Sequence, residues 1–96
     1  MLVLVTYDVN TETAEGRKRL RQIAKQCVNY GQRVQNSVFE CKVNASQYLE
    51  LKAKLCEIMD EKMDSLRFYK LGEAYSKKIE HFGTRGSYDP GAALIL

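Results

Sequence analysis

The 96-residue chain holds a single proline, Pro90, and a single histidine, His81. With proline this scarce, the breaks between elements must come from Gly, Asn, Asp and Ser. His81 lies beside a glycine-bearing loop, and no Ser or Cys sits in an elbow-like setting, so no nucleophile–base pair is legible. It reads as a surface loop residue. The three cysteines, Cys27, Cys41 and Cys56, are an odd number and contain no CxxC pair. With His81 they make an inventory that can in principle bind zinc, but their wide spacing argues against it. Cys27 and Cys56 fall at core-facing helical positions, where a free thiol behaves as a small hydrophobe. All three are expected to be buried and inert.

Long apolar runs are missing as well. Nothing approaches the roughly 20 residues that span a bilayer. The opening Leu2-Val3-Leu4-Val5 lacks a basic leader and reaches Asp8 within a few residues, so it is no signal peptide. The expected location is the cytoplasm, with no membrane contact. Gly83-Thr84-Arg85-Gly86 lacks the lysine of a phosphate loop, and the aromatic, glycine-rich pattern of RNA-recognition sheets is absent. No internal repeat, linker or low-complexity segment is visible.

What is present is an ordinary soluble mix, 45% apolar and 28% charged, which excludes disorder for most of the chain. The length fits one domain, near the small end of what buries an adequate core unaided. That domain is read over residues 1–96, with a core at about 1–72 and a strand-forming tail at 73–96. The net charge of +3 is modest but unevenly spread. Between Gly16 and Phe39 stand six cations (Arg17, Lys18, Arg19, Arg21, Lys25, Arg33) and no carboxylate. From Glu40 to Asp64 the balance reverses, with six acids against four bases. One face should therefore be distinctly positive, which suits a polyanion.

Leu2 to Val9 is apolar and rich in β-branched residues, the pattern of a centrally buried strand. Thr13 can cap a helix that has Glu15 in its first turn. Leu20, Ile23, Ala24, Cys27 and Val28 then form one apolar stripe ending near Gly31. Gln32 to Val43 returns to strand chemistry, broken at Asn36-Ser37 into two short antiparallel strands. A second helix starts near Asn44, with Gln47 as capping-box partner, a Glu50/Lys54 pair, and a stripe of Tyr48, Leu51, Leu55, Ile58 and Met59. Leu66 to Leu71 is the next strand. The order is βαββαβ, and two helices on one face of a four-stranded antiparallel sheet is the ferredoxin-like solution: an α+β sandwich. Ile79 to Phe82 is expected as a short strand. The apolar end Ala92 to Leu96 is expected to add an extra C-terminal strand at a sheet edge, its own or a partner's.

Three groups of residues can carry chemistry. Asp8 ends a buried strand, where a carboxylate is costly unless solvated, paired or bound to a cation. It either forms the turn, bonding the Asn10–Glu12 backbone, or it is a Mg²⁺ ligand whose second carboxylate comes from its own copy in a two-fold dimer. Lys18, Arg21 and Lys25 share the solvent-facing flank of the first helix, with Arg17 at its N-terminus. Five bases in nine residues favour phosphate contact over a merely solvated face, and backbone recognition over base readout. Tyr7, Tyr30, Phe39, Phe68 and Tyr69 can stack on bases, although most fall where a core would be packed.

The segments Leu2-Val3-Leu4-Val5-Thr6-Tyr7-Asp8-Val9, Gly16-Arg17-Lys18-Arg19-Leu20-Arg21, Tyr30 through Cys41 and Asp64 through Gly72 together resemble the second CRISPR-associated protein family, its type I-C-like branch in particular. The likeness extends over about Leu2 to Gly72. It implies a ferredoxin-like homodimer in which Asp8 meets its copy across the two-fold and serves as both catalytic and metal-binding residue, with Mg²⁺ as cofactor. It implies an endonuclease of single-stranded RNA or duplex DNA that also partners the CRISPR spacer integrase and holds the spacer duplex. Arg17, Lys18, Arg19, Arg21 and Arg33 match basic positions of the family and are the expected nucleic-acid contacts. Tyr7 and Phe39 are the expected supports of the site.

The first expectation is thus a metal-dependent nuclease and adaptation scaffold. The alternative is a non-catalytic, dimeric nucleic-acid-binding bridge in the integrase complex, favoured by the sparse carboxylates and the lack of an evident general base. A small-ligand regulatory domain of the same fold is disfavoured by the basic cluster and the missing glycine-rich ligand loop.

Overall fold

A computed structural model describes residues 1–83. The chain runs β1 (Leu2–Asp8), α1 (Ala14–Val28), β2 (Gly31–Gln35), β3 (Val38–Lys42), α2 (Ala45–Ile58) and β4 (Ser65–Gly72), followed by one 3-10 turn at Tyr75–Lys77. The sheet order is β2-β3-β1-β4, and every neighbouring pair is antiparallel. This is the ferredoxin-like arrangement. β1 lies inside the sheet between β3 and β4, which is why its sequence is so uniformly apolar.

Both helices begin on side-chain caps. Thr13 Oγ1 accepts a hydrogen bond from the Gly16 amide at 3.0 Å. Asn44 and Gln47 form a reciprocal capping box, with bonds of 2.8 and 3.0 Å. Each satisfies donors that the first helical turn leaves open. Ile23 and Cys27 of α1 and Leu51 and Leu55 of α2 pack on Val3, Val5, Tyr7, Phe39 and Cys41 of the sheet. Burying one such leucine contributes about 2 kcal/mol. At the hairpin, Asn36 and Ser37 separate β2 from β3, and the Ser37 carbonyl accepts from the Tyr7 amide at 3.1 Å.

Three expectations need correction. Val28 is exposed, not part of the α1 stripe, because it stands one residue, about 100° of helix, from the buried Cys27. Cys56 is likewise exposed, one residue beyond the buried Leu55. Ile79 to Phe82 form no strand. Gly72 at φ +76° turns the chain away as β4 ends, so the following residues leave the ladder. The turn-rich Thr84 to Gly91 and the apolar Ala92 to Leu96, expected as an extra strand, lie outside the described residues. Among the described residues no helix is long and apolar enough to cross a membrane.

Candidate functional site

Strand alternation builds the site. Val3, Val5 and Tyr7 point to the helices, so Asp8 points the other way, at the rim where β1 ends, and is exposed. Its register partner is Ser65, the first residue of β4. Among the described residues the Asp8 carboxylate has no hydrogen-bond or ion-pair partner. The turn after it is made by others. Asn10 Oδ1 accepts from the Glu12 amide at 2.9 Å, and Asp64 Oδ1 accepts from the Asn10 amide at 3.1 Å. Asp8 is therefore not the turn-forming residue.

Chain direction gathers the start of α1, the β2–β3 hairpin and the start of β4 at this same end of the sheet. Arg17 lies there, donating from Nη1 to the Thr11 carbonyl at 3.0 Å while remaining exposed. Lys18, Arg21 and Lys25 follow at helical spacing, all exposed and with no partner among the described residues. They form one open basic stripe leading away from Asp8.

Arg19 does not belong to that stripe. It shares the buried face of α1 with Gly16, Ile23 and Cys27, and its guanidinium grips Asp64 through Nε–Oδ2 at 2.7 Å and Nη2–Oδ1 at 3.2 Å. The Asp64 side chain is 0% exposed and that of Arg19 17%. The Asp60 amide also donates to Asp64 Oδ2 at 2.9 Å. Arg19 above all, then the Asp60 and Asn10 amides, hold the Asp64 carboxyl below the usual range against the opposing effect of burial. Sequence reasoning passed over Asp64. The available signal was a cation at position 19 on the apolar 16-23-27 face, which requires a buried acid.

Arg33 lies on β2 opposite Phe39, its guanidinium 5.1 Å from the ring centroid. Tyr7 stacks on the same ring, centroids 6.3 Å apart. Both rings are buried, so Tyr7 and Phe39 act as packing beneath the site rather than as open stacking platforms. Burial pushes the Tyr7 hydroxyl up from its ordinary value. Tyr69 is more exposed than either, with its hydroxyl accepting from Arg67 Nη1 at 3.0 Å.

Other chemistries find little support. Burial pushes the Cys27 and Cys41 thiols up to about 12, the reverse of what thiolate ligation or attack needs. Among the described residues no group of three or more His, Cys, Asp or Glu converges. Among the described residues Asp8 is thus a carboxylate at the sheet rim that belongs to no ready-made cluster of metal ligands. That matches Mg²⁺ sites that use one or two carboxylates plus substrate phosphates, and not a closed all-protein cage.

Residues 1–79 match the family model described as CRISPR associated protein Cas2. A CRISPR-associated endoribonuclease Cas2 of Chlorobaculum tepidum is 59% identical over the full length of both chains. A CRISPR-associated endonuclease Cas2 of Halalkalibacterium halodurans is 57% identical, again over 100% of each. The crystal structure of Streptococcus pyogenes Cas2 at pH 6.5 superposes with a TM-score of 0.76 at 60% identity, covering 86% of this chain and 100% of that one.

Proposed function

The chain belongs to the CRISPR-associated Cas2 family, and from that premise we propose that it is a Mg²⁺-dependent endonuclease of RNA or DNA that works as a homodimer alongside the spacer integrase. The observation that carries this reading is the Asp8 carboxylate: exposed, unpartnered among the described residues, and at the end of the sheet where the basic helix α1 begins. The relatives' names, endoribonuclease and endonuclease, support nuclease chemistry.

In this mechanism the N-terminal end of α1 and the stripe of Arg17, Lys18, Arg21 and Lys25 bind the phosphate backbone by charge. Arg33 extends the contact from β2. Two Asp8 carboxylates, one from each copy, face the scissile phosphate. Divalent metal held between them would supply charge neutralisation and an activated water. Tyr7 and Phe39 keep the rim of β1 from shifting, so the carboxylates need no rearrangement when substrate arrives. Each protomer supplies one carboxylate, so the site is complete only in the dimer.

A second reading has its own support. With no convergent acid or histidine group among the described residues, no general base is evident, as expected of a dimeric bridge that only holds a duplex. Cleavage of matched single-stranded RNA and duplex DNA with and without Mg²⁺ separates the two. Metal-dependent products that vanish in Asp8→Asn support the nuclease. Tight duplex binding with no product at any Mg²⁺ concentration refutes it in favour of the bridge.

A further inference from the structure

We propose that Asp64, locked by Arg19, is the positioning residue of the Asp8 site. This deepens the function proposed above and rests on its reading of Asp8. The argument begins from hydrogen-bond capacity. A carboxylate wholly removed from water must have its oxygens satisfied or it destabilises the fold. Asp64 Oδ1 receives the Asn10 amide and Arg19 Nη2, and Oδ2 receives Arg19 Nε and the Asp60 amide. Four donors converge on two oxygens. They come from three separate places: the loop after β1, the middle of α1, and the segment between α2 and β4.

Asp8 lies between two of these attachments. Asn10, two residues further along the chain in the loop after β1, is pinned by Asp64. Ser65, its partner across the β1–β4 ladder, is covalently next to Asp64. Strand ends ordinarily fray, and an exposed terminal carboxylate would then sample several positions. Here a single buried side chain ties both sides of the last pair together. The far side of the loop is braced as well, since a Cβ on Gly16 would collide with the Asn10 carbonyl. Arg19 thus acts through Asp64, and its charge is turned inward, away from phosphate.

The test compares Asp64→Asn and Arg19→Lys with the intact full-length chain, at a temperature where circular dichroism shows each fully folded. Asp64→Asn removes the charge and places an amide donor against the Arg19 or Asp60 donor. Two readouts that fold stability alone would not move are expected to change. The turnover rate at saturating Mg²⁺ should fall about 10–100-fold, the usual cost of losing a group that orients a metal ligand, while the KM for nucleic acid stays put. Without metal, hydrogen exchange at the Asn10 amide should speed up while exchange at Val5, mid-strand, does not. Arg19→Lys should show the same pattern more weakly, with an unchanged salt dependence of duplex binding, and it serves if Asp64→Asn does not fold.

An Asn10 amide as protected in the variants as in the wild type overturns the proposal. So does an Arg19→Lys change that flattens the salt slope, because Arg19 would then be meeting phosphate. A wild-type chain that cleaves nothing, yet loses Asn10 protection on Asp64→Asn, retires the nuclease reading and leaves the clamp standing. Wild-type cleavage that Asp64→Asn leaves intact does the reverse.

Discussion

Glu40 stands directly opposite Leu4 in the β1–β3 ladder, a carboxylate only 7% exposed beside an aliphatic side chain. Burial pushes its pKa above the ordinary value, and His81 pulls the other way. Asp64, also buried, is shifted downward by Arg19. The two buried acids therefore respond to pH with opposite sign. Glu40's contribution is fully present below the ordinary carboxylate value of about 4.3 and is lost as pH rises through its raised one. Asp64's is present above about 3.9 and is lost as pH falls through its depressed one. Glu40→Gln should accordingly raise the melting temperature at pH 7 and leave it nearly unchanged at pH 4. A variant less stable than wild type at pH 7 would show that the Glu40 charge is compensated.

The cysteines differ in the same measurable way. Cys27 and Cys41 are buried with their pKa pushed to about 12, while Cys56 is exposed. Alkylation of the native protein, followed by mass spectrometry, should give one adduct, at Cys56. The other two should react only in denaturant. Rapid native labelling of Cys27 would mean that α1 opens from the sheet.

These two cases mark what sequence reading reaches. β1, the Asn36-Ser37 break, the Thr13 cap and the Asn44–Gln47 box were legible because each is a local rule with its residues close in sequence. Cys56 and Val28 were misplaced because one residue of helix is a 100° rotation, and stripe-reading at an edge tolerates that error. Arg19 was read with its basic neighbours because its partner, Asp64, lies 45 residues away. Ile79 to Phe82 look like a strand, but a strand needs an edge to join, and the turn at Gly72 removes it. Asp8 stood out in both views, since an acid ending an apolar strand is conspicuous in sequence and exposed in the fold.

The proposed sharing of Asp8 between two copies predicts self-association. If two Asp8 side chains make one site, the protein must sediment at twice its chain mass at micromolar concentration. Asp8→Asn should not weaken the dimer, because it removes repulsion between like charges. A monomer at that concentration would dismantle the shared site.

Duplex binding should be strongly dependent on salt. Each phosphate neutralised contributes a slope of about 0.9 log unit in affinity per log unit of salt. Changing Lys18 and Arg21 to Gln should therefore flatten the slope by about 1.8, with little effect on sequence preference. Binding titrations between about 50 and 200 mM salt resolve a change of this size. An unaltered slope would place the stripe in plain solvent and move the phosphate contact elsewhere.

The remaining prediction isolates the Asp8 charge. Asn10 and Asp64 make the turn, so Asp8→Asn breaks no hydrogen bond seen among the described residues. Stability should consequently stay within about 0.5 kcal/mol of wild type, as for other surface substitutions. In the proposed dimer the same variant removes both carboxylates of the paired site at once. Mg²⁺-stimulated cleavage should then fall by more than about 100-fold, beyond the cost of losing a supporting partner alone. Duplex affinity should hold or rise, because the phosphate no longer faces negative charge. Stability, cleavage and binding are thus expected to separate in one variant. A loss of all three together would mean that Asp8 supports the fold, while full cleavage by Asp8→Asn would remove the metal from the mechanism and leave the basic stripe as the working surface of a duplex-holding bridge.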